Sequence, residues 1–194
     1  MELMPLRVFQ RHVRDQCQYV LFSIAPINAG LKSGGDKDAL WIAVQMFVTG
    51  AGNVSKALWG CGNQAQRAKA YVERQDLRDS LQVNDSSPLR DLAMRNHFEH
   101  FDERIEKWWE EDSTHNMLDR SVFPPHMVQG LPSNWWFRVI DPSSMKITFW
   151  DDEFSIQPIA DECERVFAIS NVECAKPHWD PAERRTRGGG QQQR

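Results

Sequence analysis

The stretch Lys37-Asp38-Ala39-Leu40-Trp41-Ile42-Ala43-Val44-Gln45-Met46-Phe47-Val48-Thr49 decides the fold class. Its large apolar residues point in nearly every direction around a helix, and a helix apolar nearly all round belongs in the middle of a bundle. The apolar run 39–48 is too short to span a membrane and carries Gln45. Upstream, Ser33-Gly34-Gly35-Asp36 offers a loop and an N-cap. Downstream, Gly50-Ala51-Gly52 either kinks the helix or lets a neighbour approach closely. Residues 54–59 continue it to a break at Gly60-Cys61-Gly62.

The flanking segments have the same character. Leu6, Phe9, Val13, Cys17, Val20 and Ile24 fall three or four apart, which predicts an amphipathic first helix ended by Pro26 and Asn28-Ala29-Gly30. A third, more polar helix is expected over residues 64–81, with Ala68, Tyr71, Val72, Leu77 and Leu81 as its apolar contacts. After the turn Asn84-Asp85-Ser86-Ser87-Pro88, a fourth helix is predicted from about Leu89 to Glu111, uninterrupted by glycine or proline. Beyond Asp112 the pattern changes. Pro124-Pro125, Gly130 and Pro132 mark an irregular connection, and three short strand-like runs follow at 135–140, 146–150 and 154–156. These predict a small antiparallel meander. A last helix near residues 158–171 shows Ile159, Cys163, Val166 and Ser170 on one side. The expected fold is therefore mainly α, a four- to five-helix bundle with a small β-meander before the last helix. It reads as one domain over residues 1–180: a core bundle at 5–111, a β insertion at 134–157 and a final helix at 158–172. The low-complexity tail, 181–194, is expected to be disordered.

Composition narrows the function classes. With 23 Lys and Arg against 27 Asp and Glu, the net charge is −4, so no global field recruits nucleic acid and any RNA contact must be local. Cys17, Cys61, Cys163 and Cys174 lack CxxC spacing, and no secretory signal precedes them. A reduced, cytoplasmic setting is expected, with no membrane association and no cofactor.

Chemistry concentrates in Arg95-Asn96-His97-Phe98-Glu99-His100. On the predicted fourth helix, Met94, Phe98, Phe101, Ile105 and Trp108 lie within roughly 80° and form a core stripe. Leu89, Leu92, Ala93, Asn96 and His100 make a second face, which points to burial against a partner chain. Asn96 and His100 are adjacent at i, i+4. Arg95 lies about 140° from His100 but is long enough to reach over. A histidine near its ordinary pKa moves protons at neutral pH, and arginine offers phosphate oxygens a permanently charged fork of donors. Asn96 can orient the ring or donate to a non-bridging oxygen. Together these groups suit cleavage of RNA without metal. Two other readings stay open. Arg95–Glu99 and Glu103–Lys107 at i, i+4 also describe a solvated helix face. His97, His100 and Glu103, spaced by three, can ligate a metal if another helix contributes donors, for which His12 and Glu73 are the only candidates on helices one to three.

The order Arg95-Asn96, three residues, His100, late in a four-helix unit, resembles the RX4–6H signature of HEPN domains. Residues Asn53-Val54-Ser55-Lys56-Ala57-Leu58-Trp59, Leu77-Arg78-Asp79-Ser80-Leu81 and 96–104 look like a bacterial HEPN-like family, over about residues 5–111. The resemblance implies an all-α homodimer with the motif helices at its interface. It further implies a metal-independent endoribonuclease of toxin–antitoxin, CRISPR or phage-defence type, or a relative that binds RNA or nucleotides, or a protein partner, without cutting. Arg95 and His100 would be the catalytic pair, Asn96 their support, and an antitoxin a possible partner. The Trp-rich meander departs from the minimal bundle. Its paired tryptophans are expected to pack rather than stack on bases.

Overall fold

Helix α1 (Leu3–Leu31) is the spine of the protein, packing against both α2 (Lys37–Trp59) and the last helix, α6 (Ile156–Cys174). The computed structural model describes residues 1–32, 34–90, 100–111, 116–128, 130, 135–150 and 152–178. Between the long helices come α3 (Gln64–Glu73), α4 (Gln75–Ser80), a 3-10 turn at Pro88–Arg90 and α5 (Phe101–Glu111). Strands β1 (Ser121–Val122), β2 (Val139–Asp141), β3 (Lys146–Phe149) and β4 (Asp152–Ser155) form a sheet in that order. The chain is thus mostly helical with a small sheet, as its patterning predicts.

Helix α1 runs through Pro26 instead of ending there. Proline removes one backbone donor, but the turn beyond it is held from outside. Ile27 and Gly30 are buried, Lys37 Nζ donates to the Gly30 carbonyl at 2.9 Å, and a Cβ on Gly30 would meet Leu40 Cβ at 2.5 Å. Asp36 caps α2 as expected, its Oδ1 accepting from the amides of Asp38 and Ala39. Helix α2 is continuous through Gly50, where a Cβ would lie 2.9 Å from Val20 Cγ2 and 3.0 Å from the Gln16 carbonyl. The glycine therefore serves close approach of α1. Of α2's apolar residues, Ile42 is 71% exposed, so the helix has one solvent-facing edge.

The predicted third helix is two. It breaks at Arg74 (φ −103°, ψ 14°), and Ala68, Tyr71 and Val72 are exposed while Leu77 and Leu81 are fully buried. Local periodicity could not reveal the reason, which lies at the far end of α2. Arg74 donates to the carbonyls of Lys56 and Ala57, and Arg78 donates to that of Leu58 at 2.8 Å. Two guanidiniums thus donate to the last carbonyls of the helix, at the negative pole of its dipole; that of Lys56 also accepts from the Gly60 amide at 2.9 Å. Arg78 is 2% exposed, and its other bonds go to the Tyr71 carbonyl and Gln75 Oε1, both at 2.6 Å.

The sheet has one strand more than the meander expected: β1 pairs parallel to β2, and the other two pairings are antiparallel. Ile140, Ile147 and Phe154 sit side by side across β2, β3 and β4 and join the core built by α1, α2 and α6. Trp108, Phe137, Phe149 and Trp150 form a second cluster, which seats α5. Trp136 is also buried, so packing claims it, as expected. Ile156 opens α6 instead of closing a strand, and Pro158 falls in the first turn, where no amide donor is needed. Ile159, Cys163, Val166 and Ser170 form its buried side, as their spacing predicts.

At the β2–β3 turn, burial alone would push the Asp141 carboxyl upward. Hydrogen bonds from Ser143 (amide 2.8 Å, Oγ 2.6 Å) and Ser144 (Oγ 2.6 Å) outweigh it and hold the pKa at about 2. A depressed carboxylate pKa stabilises the fold above its unfolded value, and that contribution is lost as pH falls toward the folded one. Denaturation at pH 5 and pH 2 should therefore show a loss on the order of 1–2 kcal/mol that Asp141→Ala lacks. Equal pH dependence in both proteins would refute this.

Candidate functional site

Of the three predicted site residues, Arg95 and Asn96 lie outside the described residues, as do His97 and Glu99. His100 immediately precedes α5, and its carbonyl accepts the first helical bond, from Arg104 N at 3.1 Å. The fourth helix is therefore described only over Phe101–Glu111. Its expected beginning at Leu89 is instead a 3-10 turn in which Leu89, 2% exposed, joins the core of its own chain. Leu89 is not part of a face turned toward a partner. Ile105 is 38% exposed and leaves the core stripe to Phe101 and Trp108.

Aromatic packing positions His100. The adjacent Phe101 ring meets Phe137 and Phe149 edge-on at 5.6 and 5.8 Å, and Arg138 lies over it at 4.6 Å while pairing with Asp119 at 2.6 Å. The His100 side chain is 51% exposed, and its Nδ1 lies 3.0 Å from Glu103 Oε1. Against an ionised carboxylate Nδ1 carries the proton, so neutral imidazole keeps Nε2 as its basic nitrogen. Glu103 is thus taken by His100, and Lys107 pairs with Glu111 at 3.8 Å rather than with Glu103.

The structure brings two further residues beside His100 that the sequence reading gave no part in the site. Arg104 and Lys107 follow His100 at i+4 and i+7, so all three share one face of α5. The Arg104 guanidinium lies 5.2 Å and Lys107 Nζ 5.3 Å from the Trp150 ring centre, within cation–π range. Their spacing from His100 was legible; the tryptophan platform 43 residues or more downstream was not. The face therefore presents an imidazole beside two cations, both over one aromatic ring. A carboxylate holding the imidazole and cations beside it are the elements of phosphodiester chemistry.

Elsewhere, a cleft of about 350 Å³ is lined by Trp59, Arg67, Tyr71 and Arg90 among others. Asp85 organises its wall, accepting from Tyr71 Oη at 2.6 Å and Trp59 Nε1 at 3.1 Å and pairing with Arg90 at 3.1 Å. The bonds from Tyr71 and Trp59 hold the Asp85 carboxyl below its ordinary range, and the bond to Asp85 pushes the Tyr71 phenol up. No group of three or more potential metal ligands gathers among the described residues. His12 and Glu73 are both exposed, on different helices. No helix of the described residues is long and apolar enough to cross a membrane. Comparison with models of known families, with curated proteins and with solved structures finds no match.

Proposed function

We propose that this protein is a HEPN-like, metal-independent endoribonuclease of toxin or phage-defence type, acting on single-stranded RNA as a homodimer. The observation that carries the reading is the half-exposed His100, held through Nδ1 by Glu103 on a face shared with Arg104 and Lys107. In this mechanism an imidazole takes the proton of the ribose 2′-OH, whose oxygen attacks the adjacent phosphorus. The P–O5′ bond breaks, a second imidazole protonates the leaving oxygen, and a 2′,3′-cyclic phosphate remains. Arg95 neutralises charge building on the non-bridging oxygens and Asn96 supports it. One histidine cannot be base and acid in the same step. The site is therefore composite, with Arg95, Asn96 and His100 from each copy, and an antitoxin would act by covering it. Single-turnover cleavage of labelled RNA by Arg95→Ala and His100→Ala tests the assignment; undiminished activity in both would end it.

Arg104 and Lys107 bind the backbone in this reading. Arg104→Ala with Lys107→Ala should weaken RNA binding about tenfold at moderate salt and flatten its salt dependence by about two phosphate contacts. Titrations at several salt concentrations check this, and an unchanged slope would contradict it.

The net charge of −4 and the Arg67–Arg90 cleft favour a second reading, a HEPN-fold module that binds RNA, nucleotides or a protein without cutting. It predicts RNA that is bound yet intact.

A further inference from the structure

Helix α1 is amphipathic twice over. Opposite the side that buries Val13, Cys17 and Val20, it carries Met4, Val8, Tyr19 and Phe22, which are 64%, 56%, 48% and 63% exposed. At about 100° per residue these four, with Arg11 and Asp15, fall within roughly 80° of one another. An outward stripe of large apolar side chains on a helix already packed on its other side is unusual for a solvent face.

The order along the stripe indicates what covers it. Arg11 and Asp15 stand two residues either side of Val13, and Met4 and Phe22 stand nine either side. A two-fold axis crossing α1 at Val13 therefore lays each residue type on its complement. Arg11 meets the partner's Asp15, and Met4 meets the partner's Phe22. Val8 comes within one residue of the partner's Tyr19. Asp15 is prepared for a second cation: Arg14 Nε and Nη2 both donate to its Oδ1, at 3.0 and 2.8 Å, which leaves Oδ2 for another guanidinium. Its side chain is 44% exposed. A parallel arrangement would set Arg11 against Arg11 and Asp15 against Asp15.

We infer that α1 docks antiparallel on α1 of a second copy of this chain, with two Arg11–Asp15 pairs at the centre and Met4–Phe22 contacts at both ends. The contact is isologous, since the same patch serves both subunits. It uses none of the residues of the proposed ribonuclease site, and a composite site formed by the same two copies would share its two-fold axis.

The test is sedimentation or light scattering of the full chain at micromolar concentration, with circular dichroism to confirm folding. The wild type should be a dimer. Arg11→Asp and Asp15→Arg should each weaken it about tenfold or more, because like charges then meet twice at the axis. Combining both substitutions in one chain should restore it. Mixing the two single variants should give a heterodimer, since one chain is then acidic and the other basic at both positions. Phe22→Glu should dissociate the dimer without involving the ion pairs, and His100→Ala should leave it intact. A monomeric wild type would overturn the inference. So would variants that dimerise as the wild type does, which would place the dimer contact on another surface.

Discussion

Replacing His100 by alanine is expected to lower RNA cleavage about 10²–10⁴-fold while leaving the protein folded. The size follows from removing a proton-transfer group. The fold should survive because His100 is half exposed and its neighbour Phe101 keeps its contacts with Phe137 and Phe149. Glu103→Gln should cost less, about threefold to tenfold. The amide can still reach Nδ1, but it no longer fixes the tautomer or stabilises the imidazolium, and at 68% exposure solvent already screens that interaction. The ordering separates mechanism from architecture. If Glu103→Gln costs as much as His100→Ala, the carboxylate acts directly on substrate; if neither matters, the face is not the site. Mixed dimers add a sharper check. A composite site needs a histidine from each copy, so a dimer with one His100→Ala subunit should lose most of its activity rather than half.

The second large effect concerns stability. Arg78→Met should destabilise the fold by roughly 3 kcal/mol, seen as a lower midpoint of urea unfolding with unchanged slope. Arg78 is buried and donates to Leu58 O, Tyr71 O and Gln75 Oε1, with its guanidinium 4.3 Å from the Tyr71 ring centre. Methionine fills much of the space but leaves these acceptors without their donor; a buried carbonyl such as that of Leu58 then costs about 1–3 kcal/mol, and the two part-buried acceptors less. Arg78→Lys should recover only part of the loss, because a single ammonium cannot span acceptors that a planar fork reaches together. A loss below about 1 kcal/mol for methionine would mean that water replaces the guanidinium and that the end of α2 needs no cap.

Arg78 also shows where sequence reading stopped. Its motif, Leu77-Arg78-Asp79-Ser80-Leu81, carries part of the family resemblance, yet no periodic rule places an arginine in a core. Its role exists only once α4 lies across the end of α2. The break at Arg74 and the exposure of Tyr71 and Val72 follow from that same long-range bonding. Short-range signals served better: the Asp36 cap, the glycine breaks after Trp59 and the Ile159–Ser170 face of α6 are each set by residues within a few positions. Strand β1 was not legible, because a two-residue strand carries no alternation and owes its place to a parallel ladder with β2. Within the candidate site, residue type and spacing are what single out His100. Lys107 reads in the sequence as half of an ion pair with Glu103, and Arg104 only as part of the family resemblance, since Trp150, over which both lie, is distant in sequence.

The most direct test of the ribonuclease reading is to incubate purified dimer with single-stranded RNA in excess EDTA and identify the product ends by mass spectrometry. The reading predicts cleavage that persists without divalent metal, yields 2′,3′-cyclic phosphate and 5′-hydroxyl ends, and disappears in His100→Ala. RNA left intact, cleavage that requires added metal, or ends bearing a 5′-phosphate would contradict it.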